Sequence, residues 1–135
     1  MPYISDGNNW HSTATAWSTA TAIWEALTHD HAPAVTVNAD AGVGATATFV
    51  GNRLQGKLTV TTGTAVGLVS GSTLATFTLA GYTYAPYVGV SPCDEVSAAA
   101  FAYANNPTNA SAPIAVAGEL DPGTTYTFNV VFQGA

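Results

Sequence analysis

The chain has 135 residues, 47% of them hydrophobic, enough for one domain with a single core. Its charged fraction is 7%, with two basic side chains against eight acidic ones and a net charge of -6, whereas soluble proteins usually carry roughly 25% charged residues. Phosphate neutralisation needs clustered Lys or Arg, so nucleic acid is excluded as a partner, and no run reaches the roughly 18 apolar residues that a membrane-spanning helix needs. A surface made mainly of Ala, Thr, Ser, Gly and Asn suits packing against copies of itself or display as neutral polar surface, which points to an assembly protein.

The opening residues, MPYISDGNNW, lack the basic start and continuous apolar core of a secretory signal, so none is expected. They lead into WHSTATAWSTATAIW, which spaces Trp10, Trp17 and Trp24 seven residues apart. Seven residues are nearly two helical turns, so a helix over 11–28 would gather the three indoles with Ala20 and Leu27 on one apolar face. In a strand the indoles would alternate sides. Asn8, Asn9 or Ser12 can cap its start, and the residue before Pro33 is pushed out of helical space, which ends it. The many threonines are poor helix formers, costing up to about 0.7 kcal/mol each relative to Ala. Such a helix needs support, either from a threefold bundle or partner protein, or from its own domain. Trp10, Trp17, Trp24 and Leu27 are therefore the candidate oligomerisation or anchoring residues, and residues 1–33 are expected to form a segment distinct from a β-domain over 34–135.

After Pro33 the pattern turns to β-branched and aromatic runs broken by Gly, Pro and Asn. Strands are predicted at 34–38, 45–50, 55–62, 73–80, 87–90, 98–103, 114–117 and 124–132, with no second helix. The last shows the two-residue period most clearly, placing Tyr126, Phe128, Val130 and Phe132 on one face. Ala75, Phe77 and Leu79 share a face in the same way, as do Leu58 and Val60. Half-buried strands of this kind pair into two antiparallel sheets packed face to face, and eight of them suit a jelly-roll-like β-sandwich. Gly42 and Gly44 are read as a turn between strands, and Asp121-Pro122-Gly123 as a tight turn into the final strand. Cys93, alone in the chain, forms no disulfide framework and reads as a small buried residue or an incidental thiol. The sequon Asn109-Ala110-Ser111 is read as accidental, given the missing secretion signal.

From Gly56 onward, over about 80 of its 135 residues, the sequence resembles a module common at the ends of bacteriophage fibre and head-decoration proteins. The resemblance is carried by GKLTVTTGT (56–64), GSTLATFTLAGYTYAPYVGVSP (71–92), SAAAFAY (97–103) and LDPGTTYTFNVVF (120–132). It implies a trimeric β-sandwich displayed on a virion without a catalytic role. Long tail fibres carry extended shafts ahead of such a tip, whereas about 33 residues precede the sandwich here. That favours a capsid decoration or head-fibre protein, made in the host cytoplasm and bound to the major capsid protein or another virion protein. The alternative is the receptor-binding tip of a tail fibre, touching host surface glycans through Tyr82, Tyr84 and Tyr87.

His29 and His31, in the run HDH, are the one cluster with metal-ligand character. Three chains around an axis would supply six imidazoles, enough for an octahedral transition metal, although a histidine at a helix end also serves the helix dipole. No cofactor is expected. The acid pairs Asp94 with Glu95 and Glu119 with Asp121 have the composition for glycoside hydrolysis, but beside Pro92 and Pro122 they read as solvated turn residues. A Ser-His-acid relay needs a histidine in the sandwich, and all three, His11, His29 and His31, lie in the first 31 residues. AGVGATATF has no following helix and is not a phosphate-binding loop. No enzyme is expected.

Overall fold

A computed structural model describes residues 32–134 of the chain. Eight strands form in chain order: β1 (Ala34–Val37), β2 (Thr46–Gly51), β3 (Gln55–Thr61), β4 (Thr73–Thr78), β5 (Tyr87–Pro92), β6 (Ala102–Ala104), β7 (Ser111–Val116) and β8 (Thr125–Gln133). They make two four-stranded sheets with the orders β1-β4-β7-β6 and β2-β3-β8-β5, every pairing antiparallel. The edge strand β1 touches β2 and the edge strand β5 touches β6, so the sheets stack as a sandwich-like mainly β fold.

The two-residue period decides which side chains enter the core. On β8, Tyr126, Phe128, Val130 and Phe132 are buried, and their partners Leu58 and Val60 on β3 are fully buried beside them. Phe77 on β4 and Ile114 on β7 close the space from the opposite sheet. Phe49, Phe77 and Phe132 meet edge to face with centroids 5.0, 5.2 and 6.1 Å apart, the arrangement that aromatic quadrupoles favour. Leu74 is buried as well as Ala75, against strict alternation, because the register of β4 on β7 shifts between Thr73 and Ala75.

Many outward positions carry threonine, with Lys57 and Tyr87 among the exceptions. Thr46, Thr61 and Thr125 stand in one row across β2, β3 and β8, and Thr48, Thr59 and Thr127 in the next. Thr61 and Thr125 share a hydroxyl hydrogen bond of 3.0 Å. Hydroxyl-bearing outward rows of this kind fit the low charged fraction seen in the sequence.

Seven of the eight expected strands form within a few residues of their expected bounds. The eighth, expected at 98–103, is corrected: a short helix α1 (Glu95–Ala98) occupies its first part and β6 its last. Asp94 caps α1, its carboxylate accepting from the Ser97 N–H at 2.8 Å. The expectation of no helix after Pro33 is corrected with it, since a 3-10 turn also forms at Ala39–Ala41 under the cap of Asn38. β5 and β7 are longer than expected, reaching Pro92 and starting at Ser111. Gly42 and Gly44 have φ of +106° and +84°, and Gly123 +61°, so the turns read at these glycines use the backbone freedom that glycine supplies.

Candidate assembly surface

The sandwich has two ends of different character, fixed by its connections. The β2–β3 hairpin tip is held by Asn52, whose side-chain oxygen accepts from the N–H groups of Leu54 and Gln55 at 2.8 and 3.0 Å. Arg53 in this tip donates to the Gly81 carbonyl at 3.3 Å and lies 4.9 Å over the Tyr82 ring. Tyr82 returns a hydrogen bond of 2.7 Å to the Arg53 carbonyl. The tip is thereby tied to the segment just after β4. Ala34, the first residue of β1, pairs with Thr78 at the end of β4, and the Phe132 N–H donates to the Leu54 carbonyl at 2.7 Å. The chain thus enters the sandwich and leaves it at this hairpin end, here termed proximal.

At the distal end the loops after β1, after β3 and before β8 bind one another. Gly63 N–H donates to the Ala41 carbonyl at 2.8 Å, and Gly123 N–H to the Gly63 carbonyl at 3.0 Å. Thr62, nearly fully buried, donates its hydroxyl to the carbonyls of Asp121 and Thr124. The buried Tyr126 hydroxyl accepts from the Asp121 N–H at 2.8 Å.

Charge follows the same axis. Among the described residues, Asp40, Glu119 and Asp121 lie in the distal loops, with Asp94 and Glu95 just past the distal end of β5. The cations Arg53 and Lys57 lie in the proximal hairpin and two residues into β3. Asp94 also accepts from the Thr127 hydroxyl at 3.2 Å. Hydrogen bonds from Ser97, with a lesser one from Thr127, hold its carboxyl below its ordinary value of 3.8 against the opposing effect of desolvation.

The residues singled out in the sequence fall in different places. Trp10, Trp17, Trp24 and Leu27, with His29 and His31, lie outside the described residues. The three tyrosines divide. Tyr82 is 8% exposed, and Arg53 engages its hydroxyl and ring, which ties it into the fold. Tyr84 and Tyr87 are 74% and 81% exposed at the proximal end. Cys93 is exposed, which corrects the reading of it as a small buried residue. Among the described residues no group of three or more His, Cys, Asp or Glu is placed to hold a metal ion.

Two features were not legible beforehand. Phe101, 68% exposed beside the distal loops, has φ of +48°, a left-handed backbone that a bulky residue rarely adopts. Gly89 sits mid-strand in β5, and a Cβ there would meet nothing within 4 Å. Two shallow grooves, of about 420 and 410 Å³, run along the proximal half of the outer β2-β3-β8-β5 face and share Val131. Compared with known protein families, curated proteins and solved structures, the chain shows no significant match.

Proposed function

We propose that the protein is a non-enzymatic bacteriophage virion structural protein, a capsid decoration or head-fibre protein that exposes a trimeric, jelly-roll-like sandwich on the capsid surface. Residues 1–33 trimerise it or fasten it to the major capsid protein or another virion protein. The observation that carries this reading is where the resembling segments fall. GKLTVTTGT, GSTLATFTLAGYTYAPYVGVSP and LDPGTTYTFNVVF supply β3, β4 with β5, and β8, which include three of the four inner strands of the two sheets, and SAAAFAY spans the end of α1 and the start of β6. The likeness therefore takes in three strands that build the core together with the connections beside them.

The two-ended build supports display as well. The segment carrying the three tryptophans joins at the proximal end, and the five carboxylates of the described residues stand toward the other. A particle coated in this way presents hydroxyls and negative charge outward, which keeps particles apart. Co-sedimentation of the purified full chain with undecorated capsids of the encoding phage tests the reading. Saturable binding at a fixed copy number per capsid is expected, and no binding contradicts it.

The second reading, a receptor-binding tail-fibre tip, draws on the exposed rings of Tyr84 and Tyr87. Binding of the labelled chain to host cells, lost when both tyrosines are changed to Ser, would select it. Binding to capsids alone selects decoration.

A further inference from the structure

We draw no further inference here: the strongest candidate, the grooved proximal half of the outer β2-β3-β8-β5 face around Tyr87, Gly89 and Val131, carries nothing because nothing in the structure shows what covers it.

Discussion

Phe101 shows what a single residue can reveal that composition hides. A left-handed backbone costs a side-chain-bearing residue about 1–2 kcal/mol, and a largely exposed ring recovers little of that by burial. Glycine avoids the steric cost but loses more entropy on folding, by about 0.5–1 kcal/mol. Phe101→Gly is therefore expected to leave stability unchanged or raise it by up to about 1 kcal/mol, as read by urea unfolding. Tyr126 is the opposite case. Its buried hydroxyl satisfies the Asp121 N–H, and Tyr126→Phe leaves that donor without its partner, so a loss of about 1–3 kcal/mol is expected. Asp94 gives a pH signature. Its carboxyl titrates lower in the folded chain than in the unfolded one, so its contribution is fully present above the unfolded value near 3.8. That contribution is lost as pH falls through the folded value. The acid side of a stability profile should shift in Asp94→Asn, whose wild-type difference appears above pH 4 and fades below it.

At the level of elements, the period of the sequence carried most of the information. β3 and β8 alternate cleanly, as does β4 from Ala75 onward, and their inward residues are the ones buried, because one face of each sheet is dry and the other wet. The segment 95–104 was not legible in that way. Its run of alanines suits helix and strand alike, and the deciding interaction is local: Asp94 caps Ser97, whose hydroxyl then accepts from the Thr127 N–H at 2.7 Å. A capping residue three positions before a serine is a weak signal in sequence. The burial of Tyr82 was equally hidden, since it depends on Arg53, a residue distant in the chain. Packing between elements can be tested at two positions. Phe77→Ala removes the ring shared by Phe49 and Phe132 and should cost about 3–5 kcal/mol in urea unfolding. Gly118→Ala drives a methyl into the Ala99 carbonyl where the α1–β6 link packs, and a loss of about 1–3 kcal/mol or more is expected.

For the whole molecule, the arrangement of ends matters more than any single side chain. The chain joins the sandwich at the end that holds Arg53 and the exposed Tyr84 and Tyr87, and the five carboxylates of the described residues stand toward the other. Composition announced an acidic, charge-poor chain, but the separation of the two signs along one axis emerges only when the loops are brought together. An assembly that gathers the proximal ends would leave threonine faces and carboxylates outward, a surface suited to a displayed protein. The most direct test of this account is the mass of the full chain in solution, followed by sedimentation over a hundredfold range of concentration. A species of three times 13.7 kDa that persists on dilution is expected. A single chain mass throughout that range would contradict it.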